Sequence, residues 1–512
     1  MSLAPLYATP GKMSQHQEQH PLIASFLSEI VSPSTQAKQS LDHPNYWTSN
    51  PSSLLTTSNI HSLSLGTGNR ILETLLPALE NAETEVLFVT CYWAQSDSLN
   101  RISDSLRKLS ARNLETASSP RTRVRICFSS SGVWQKLSHP QSRKGRIYSP
   151  AEWSGSLGLP GPEELRGIDL QVKSVFFLPI SIVHPKFVVV DRKLAFLPSC
   201  NVSWEEWFEG CVVLSGDVVG QFVKFWQEFW ADGEEVEGLS TNPGWEEVAH
   251  ARLSSPSSTP SPALLAHLQF PTNNKSHANQ TQTLFLPSPH HRNPSFRPLP
   301  FQSPPQPPPT PLNTFLLLAI NSAKHKITLQ TPNLTSQPAI DALLAALARG
   351  VEVKITTSEN LQRLEQVVTA GTTTGVCVGR LVSGYRRLVE ERKKDLERER
   401  RIEDALPAVG RLSVSYFQPT SQPHSLPQVQ AQDEEASQQR LHLSPDEPDQ
   451  SHFKLTIIDG DVAVFGSGNL DRASWFTSQE LGVAFFGKDF VGSVEEAVEG
   501  VMGGRRKVFF EG

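Results

Sequence analysis

The sequence predicts an α/β protein made of two similar halves. Helix-like and strand-like stretches alternate after about residue 65, and the same order returns between residues 311 and 358. A motif with the same polar residues occurs once in each half, at His184 and at His452. Alternating helices and strands favour a sheet covered by helices, and the recurrence indicates an internal duplication of a domain half.

The first half opens with a helix. The apolar residues of NRILETLLPALENA recur at helical spacing, and TEVLFVTCYW after it predicts a strand. The stretch SDSLNRISDSLRKLSARN predicts a second helix, with Ser96 or Asp97 as its N-cap. A further strand, RVRICFSSSG, ends in a loop of serine and glycine.

The second half repeats this order. PLNTFLLLAINSAKH predicts a helix, and KITLQTPNLTS predicts a strand and its exit. QPAIDALLAALARG predicts a helix that a glycine ends, and VEVKITTSEN predicts the next strand. The two halves are expected at residues 66–250 and 311–512.

Three regions lie outside this pattern. Residues 1–65 are polar and mixed, and residues 251–310 are so rich in proline that they predict a linker. Residues 380–450 predict an insertion that begins with a charged helix, YRRLVEERKKDLERERRIEDAL. Its end, PQVQAQDEEASQQRLHLSPDEPDQ, has the composition of a disordered segment. The charged helix is interpreted as a solvated spur, with partner binding as the alternative.

Composition limits the class of protein. The formal net charge of -6 gives no general attraction to nucleic acid or anionic membrane. Five scattered cysteines without a CxxC pair disfavour a zinc site or a disulfide framework. The N-terminus lacks the order of a signal peptide, and no apolar stretch is long enough to span a bilayer. These features predict a soluble, cytosolic protein with only peripheral access to membranes.

The recurring motif carries the chemistry. VHPKFVVVD, residues 183–191, resembles a buried strand with ionisable residues at its ends, and SHFKLTIID, residues 451–459, repeats their spacing. A single histidine–lysine pair at a strand end is usually an ordinary solvent-exposed pair of polar residues, but two matched copies indicate a functional site. The motif residues are His184, Lys186 and Asp191 in the first copy and His452, Lys454 and Asp459 in the second.

A serine and an asparagine follow both copies at matched distances, and a glutamate follows further on. PSCN begins seven residues after the first motif aspartate, and GSGN begins seven residues after the second. EGCVV and ELGVA then place a glutamate at the start of a following strand. These stretches supply Ser199, Asn201 and Glu209 in the first half and Ser467, Asn469 and Glu480 in the second.

These residue types suit a phosphate. Strand alternation places histidine and lysine on one face, and two such strands that meet across a pseudo-twofold axis form one cleft. Lysines neutralise phosphate oxygens, and serine and asparagine donate hydrogen bonds. One histidine can attack phosphorus while the other protonates the leaving oxygen. Each histidine needs an acceptor on its far ring nitrogen, for which Glu209 and Glu480 are the candidates.

The two motifs resemble the paired HKD signatures of the phospholipase D superfamily, over roughly residues 66–250 and 311–505. The resemblance implies two α/β halves, each a mixed sheet flanked by helices, with one active site at their shared face. It also implies two-step cleavage of a phosphodiester through a phosphohistidine, with no metal or other cofactor. By analogy, the histidine of the first motif is the nucleophile.

The resemblance assigns a role to each motif residue. The histidines form the catalytic pair, and the lysines bind phosphate with the serines and asparagines. The aspartates are counted with the catalytic motif, but in the family they are largely structural, so Asp191 and Asp459 are expected to hold loops. The sequence departs from the family at Pro198, where a glycine is usual, and at Cys200. Since proline fixes φ and lacks an N–H, the first half of the pocket is expected to differ in shape.

Three functions remain open. A phospholipase D-like hydrolase or transphosphatidylase on a phospholipid comes first, a nuclease second, and a catalytically silent scaffold third. Tyrosyl-DNA phosphodiesterases resemble the chain less because their motifs lack the aspartate, and cardiolipin synthases often carry spanning helices. Residues 101–146 hold 11 lysines and arginines, which indicates either a solvated face or a surface for anionic lipid or nucleic acid. The active form is expected to be a monomer.

Overall fold

A computed structural model gives the structure of most of the chain. It describes residues 19–35, 44–116, 121–140, 142, 144–177, 181–231, 264–270, 280–289, 306–359, 361–399, 407–420 and 446–512.

The helices bury apolar side chains that recur every three or four positions. In the helix Gly68–Glu80, for example, Ile71, Leu75 and Leu79 are buried on one face. The described helices are α1 (Pro21–Ile30), α2 (Gly68–Glu80), α3 (Asp97–Glu115), α4 (Val133–Leu137), α5 (Pro150–Ser156), α6 (Asp217–Phe229), α7 (Pro311–Ser322), α8 (Gln337–Ala348), α9 (Arg363–Ala370), α10 (Thr374–Glu399), α11 (Arg472–Phe476) and α12 (Lys488–Met502).

The strands are short and mostly buried on both faces, as expected for a sheet covered by helices. The described strands are β1 (Leu55–Thr67), β2 (Glu85–Val89), β3 (Thr122–Phe128), β4 (Arg146–Tyr148), β5 (Ile168–Ser174), β6 (Phe176–Phe177), β7 (Ser181–Ile182), β8 (Phe187–Val190), β9 (Leu194–Pro198), β10 (Trp207–Ser215), β11 (Ala266–Gln269), β12 (Thr281–Ser288), β13 (Lys326–Gln330), β14 (Glu352–Thr357), β15 (Leu412–Phe417), β16 (Gln450–Ser451), β17 (Leu455–Ile458), β18 (Val462–Gly466), β19 (Glu480–Phe486) and β20 (Arg506–Glu511).

Strand pairing confirms the α/β fold and its duplication. In the first half the strands pair in the order β1-β10-β9-β8-β2-β3-β5. In the second half the order β12-β19-β18-β17-β13-β14-β15 repeats it. Both halves are mixed sheets, with parallel pairs at β2-β3-β5 and at β13-β14-β15. The start of β1 also pairs with β12 and thereby joins the two sheets.

The prediction of a linker across residues 251–310 is wrong for two segments. β11 pairs with β1, and β12 pairs with β19 along most of its length. The side chains of Leu284, Phe285 and Leu286 are fully buried, so a short apolar run places a core strand between proline-rich flanks. Even Pro287 has a place in this strand, opposite Leu481.

The predicted insertion across residues 380–450 also contains a core strand. β15 pairs with β14 and β20, because Leu412, Val414 and Tyr416 bury their side chains. The charged helix corresponds to α10, which begins earlier than the sequence indicated, at Thr374. Of the segment expected to be disordered, residues 427–450, residues 427–445 lie outside the described residues. Its described end does not fit that expectation, since Glu447 pairs with Arg505 and Gln450 begins β16.

Both halves begin earlier than predicted. β1 starts at Leu55 and is the first-half counterpart of β12. Residues before it belong to the core of the second half, since Phe26 of α1 packs edge-on against Phe315 of α7. A further core lies between the halves, where the ring centroids of Phe222 on α6 and Phe285 on β12 are 5.1 Å apart.

Candidate active site

The backbone brings the two motifs together. Each motif histidine lies just before the strand of its own half, β8 or β17. The backbone N–H of His184 donates to the carbonyl of Gln479 at 2.9 Å, and that of His452 donates to the carbonyl of Phe208 at 3.0 Å. Gln479 and Phe208 directly precede the glutamates of the opposite half. Each histidine is therefore held beside the glutamate of the other half.

The side chains complete this crossed arrangement. Nδ1 of His184 lies 2.9 Å from Oε2 of Glu480, and Nδ1 of His452 lies 2.8 Å from Oε1 of Glu209. Both histidines and both glutamates are buried. A carboxylate at Nδ1 keeps the proton on that nitrogen and leaves Nε2 for chemistry.

Ser199 and Ser467 hold the glutamates in the same way in both halves. Ser199 donates its hydroxyl to Glu209, and Ser467 donates to Glu480. Each hydroxyl also accepts the backbone N–H after its glutamate, at 3.0 Å from Gly210 and 3.1 Å from Leu481. The serines therefore orient the carboxylates that contact the histidines.

Lys186 and Lys454 lie in the same buried cluster as the histidines. Nζ of Lys186 is 3.1 Å from the carbonyl oxygen of His184, and Nζ of Lys454 is 2.6 Å from that of His452. Nζ of Lys454 is also 2.9 Å from both ring nitrogens of His452. An anion that displaces these contacts would meet two ammonium groups.

The two asparagines differ in their partners. Oδ1 of Asn201 accepts the backbone N–H of Tyr92 at 3.2 Å, while Nδ2 of Asn469 donates to Asp471 at 2.9 Å. Oδ1 of Asn469 is buried and has no hydrogen-bond partner among the described residues. The halves of the site are thus alike at histidine, serine and glutamate and unlike at asparagine.

The motif aspartates lie at the other end of their strands. Asp191 accepts the backbone N–H groups of residues 83–85, and Asp459 accepts those of residues 324–326. Both have a positive φ, of 52° and 51°. These carboxylates fix the chain that enters β2 and β13 and do not contact the histidine pair.

Burial and mutual charge set the protonation of the cluster. Burial lowers the pKa of His452 to about 3, and the ammonium of Lys454 adds to this effect while Glu209 opposes it. Burial also lowers the pKa of His184, although Glu480 opposes it. Burial lowers the pKa of Lys454 to about 7, against the attraction of Glu209. Both imidazoles are therefore neutral at pH 7 in this arrangement.

The glutamates remain ionised. Burial is the largest influence and favours their neutral form, but the facing histidine and the serine hydrogen bonds together outweigh it, with the charge of Lys454 added at Glu209. The pKa of each carboxyl therefore lies below its usual value. Ionised carboxylates beside neutral imidazoles can stabilise a positive charge that develops on either ring.

Sequence reasoning missed the support for Glu480 that comes from α11. Ser474 donates its hydroxyl to Oε1 of Glu480 at 2.7 Å. Asp471 is the N-cap of α11 and accepts the backbone N–H of Ser474 at 2.8 Å. The signal was present in GSGNLDRASW, where an aspartate precedes a short helical run.

The sequence analysis also did not predict that aromatic residues of the first half lie beside the site. The rings of Tyr92, Trp204 and Trp207 stack in turn at 4.6 and 4.7 Å between centroids. The ring of Trp207 lies 5.0 Å from that of His452. By contrast, Trp226 and Trp230 are core residues.

Most of the basic stretch at residues 101–146 is neutralised by carboxylates. Six of its cations form ion pairs, and Arg112 donates to backbone carbonyls. The ion pairs are Arg101–Glu73, Arg107–Glu164, Lys108–Glu80, Arg123–Glu85, Arg125–Asp169 and Arg146–Glu152. This stretch therefore offers little free charge to a polyanion.

The surroundings add three observations. The described residues contain no cluster of three or more histidines, cysteines and carboxylates that could hold a metal. None of the described helices has the length and apolar character needed to cross a bilayer. A cavity of about 480 Å³ lies away from the histidines, between α8 and α11, and is lined by residues that include Arg380, Arg472 and Phe476.

A family comparison agrees with the motifs. Residues 316–502 match the family model described as the cardiolipin synthase, PLD-like domain. The resemblance to the phospholipase D superfamily is confirmed for this part of the chain, which includes the second motif. Among curated protein sequences, none is significantly similar to the chain.

Solved structures of several enzymes align with the chain at low identity. Phosphatidylserine synthase of Haemophilus influenzae is 12% identical over 89% of this chain and 89% of its own, with a TM-score of 0.47. The phospholipase D family member Nuc of Salmonella typhimurium is 17% identical over 38% of this chain and 90% of its own, with a TM-score of 0.24. Polyphosphate kinase of Porphyromonas gingivalis is 9% identical over 85% of this chain and 49% of its own, with a TM-score of 0.40.

Proposed function

We propose that the protein is a phosphodiesterase that cleaves, or transfers to an alcohol, the phosphodiester of a phospholipid through a phosphohistidine intermediate. The observation that carries the proposal is the crossed pairing of His184 with Glu480 and of His452 with Glu209. Two lysines lie in the same buried cluster. The family model matched by residues 316–502, which names cardiolipin synthase, supports a lipid substrate.

The first step transfers the phosphoryl group to the protein. Nε2 of neutral His184 attacks phosphorus, a P–N bond forms, and the P–O bond to the leaving group breaks. His452 gives a proton to the leaving oxygen. Because burial and Lys454 keep the pKa of His452 low, this proton is taken up together with the substrate, whose negative phosphate opposes that lowering. Lys186 and Lys454 balance the charge of the phosphate oxygens.

The second step reverses these roles. Water or a primary alcohol gives its proton to His452 while its oxygen attacks phosphorus. The P–N bond breaks and neutral His184 is restored. Glu480 stabilises the positive charge on His184 in the intermediate, and Glu209 does so for protonated His452. The steps need no metal ion.

A nuclease is less well supported, since the basic stretch that could follow a nucleic-acid backbone is largely paired with carboxylates. Single-strand binding uses an unpaired positive groove together with exposed aromatic faces. The stacked rings of Tyr92, Trp204 and Trp207 instead face one another.

Turnover on phospholipid vesicles with a primary alcohol and a chelator tests the proposal. The wild type is expected to form phosphatidyl-alcohol, and His184→Ala and His452→Ala are each expected to lose at least about 10³-fold in rate. His325→Ala is the control, since His325 is an exposed histidine outside the cluster.

Two results would count against the proposal. Turnover that survives both histidine substitutions, or that the chelator abolishes, contradicts the phosphohistidine mechanism. A wild type that is inactive on lipid but cleaves an oligonucleotide with the same histidine dependence keeps the mechanism and overturns the lipid substrate.

A further inference from the structure

Two short helices expose large apolar side chains to solvent. On α4, Trp134 is 84% exposed and Leu137 is 59% exposed. On α9, Leu364, Val367 and Val368 are 85%, 52% and 68% exposed. Positions 364, 367 and 368 share one face of that helix. We call these five residues the apolar rim.

The two helices occupy equivalent places in the two halves. α4 follows β3 and α9 follows β14, which are counterparts in the two sheets. Val89 at the end of β2 pairs with Phe187, just after His184 and Lys186, and Gln330 at the end of β13 pairs with Leu455. Since β2 and β13 run parallel to β3 and β14, both helices leave the sheet at the edge that carries the histidines.

Side-chain contacts connect the apolar rim to the site. The ammonium of Lys136 on α4 lies 5.6 Å from the ring centre of Phe176, which pairs with Ile182 just before His184. Nη1 of Arg472 on α11 donates to the carbonyl of Thr369 on α9 at 3.3 Å. α11 also carries the serine that donates to Glu480. The apolar rim therefore flanks the His184–Glu480 pair.

The charges beside these side chains favour an anionic surface. Arg363 precedes Leu364 on α9, is exposed and forms no ion pair with any described residue. Lys136 lies between Trp134 and Leu137 on α4. Glu365 is the one carboxylate that α4 and α9 carry, and it interacts with the ammonium of Lys136, which leaves Arg363 as the uncompensated charge of the two helices. Tryptophan and aliphatic side chains with adjacent cations are typical of segments that enter a membrane interface.

We propose that the apolar rim docks onto the surface of a lipid bilayer, so that the active site receives phospholipid directly from the membrane. The inference rests on the proposed function, because it names how that site meets its substrate. Leu364 and Trp134 enter the acyl boundary, and the exposed Arg363 meets anionic headgroups.

Sedimentation with vesicles of phosphatidylcholine and phosphatidylglycerol tests this docking. The wild type is expected to bind, and Leu364→Glu combined with Val368→Glu is expected to lower the partition coefficient at least about 30-fold, because two apolar side chains lose their burial. The matched control is Leu114→Glu combined with Val389→Glu. These residues are also exposed on helices, at 56% and 41%, and Leu114 lies in the last turn of α3. Binding of the control is expected within twofold of the wild type.

A second measurement separates docking from chemistry. Hydrolysis of a water-soluble phosphodiester, bis(p-nitrophenyl) phosphate, is expected to be unchanged in the rim variant. If the wild type leaves this compound and lipids intact, the proposed function fails, and vesicle binding still decides the docking. Docking is overturned if the wild type does not bind vesicles or if the rim variant binds them as well as the wild type. If the wild type does not bind vesicles and elutes from gel filtration as a dimer that Leu364→Glu dissociates, the apolar rim joins two copies of the chain, and docking is also overturned.

Discussion

The two halves of the candidate active site share one framework and differ in what surrounds it. In both, a backbone N–H of the motif histidine crosses to the other half, a serine donates to the glutamate, and an aspartate fixes the start of a neighbouring strand. Between Asn469 and Glu480 the second half inserts α11, whereas a turn connects Asn201 to Glu209 in the first half.

This difference gives the two carboxylates unequal surroundings. Glu480 accepts hydrogen bonds from His184, Ser467 and Ser474. Glu209 accepts them from His452 and Ser199, and Trp207 packs against its histidine. The shared contacts are those that bring histidine and carboxylate together, so we infer that the chemistry depends on them and that the unshared contacts shape the pocket.

The largest effect is expected when the crossed pairs are broken. Glu209→Gln and Glu480→Gln each remove the charge that stabilises an imidazolium, and each is expected to lower kcat/KM by about 10²-fold or more. Titration of the histidines by NMR is expected to change for His452 in the first variant and for His184 in the second. The crossed assignment is wrong if the histidine in the same half as the substituted glutamate responds instead.

The sequence alone predicted the members of this framework but not how they pair. The sequence showed that Glu209 and Glu480 each begin a strand after their motif, although the second interval is longer by three residues. The choice of partner depends on backbone bonds from His184 to Gln479 and from His452 to Phe208, and local periodicity does not contain such long-range pairings.

The sequence-based prediction was wrong where local composition and tertiary structure disagree. β12 lies between proline-rich segments and β15 between charged segments, so neither was predicted as a strand, although both are core strands. Their burial depends on partners far away in the chain, Phe485 opposite Thr283 and Phe510 opposite Val414. Propensity is a weak guide when packing of this kind decides.

A second contrast concerns the residue before each serine. Gly466 has a φ of 153°, and a Cβ there would lie 2.2 Å from the carbonyl oxygen of Leu481. Gly466→Ala is therefore expected to lower the free energy of unfolding by about 2–3 kcal/mol. Pro198 pairs with Cys211 in the first half. Pro198→Gly is expected to lower the free energy of unfolding by less than about 1 kcal/mol, mainly because glycine gives the unfolded chain more conformational freedom. Urea unfolding of the two variants compares them, and equal losses would show that the backbones of the halves are interchangeable here.

The smallest effect is expected at the contact that only the second half has. Ser474→Ala removes one of three hydrogen bonds to Glu480 but leaves those from His184 and Ser467. A hydrogen bond to a charged group contributes about 1.5–3 kcal/mol at most sites. Because two donors remain on Glu480, we expect kcat/KM to fall tenfold or less, which in free energy is about the lower end of that range. Ser493→Ala is the control, since Ser493 is exposed and bonds only within its own helix. A loss as large as that of Glu480→Gln would mean that α11 belongs to the framework itself, and that the second half cannot function with the simpler turn of the first.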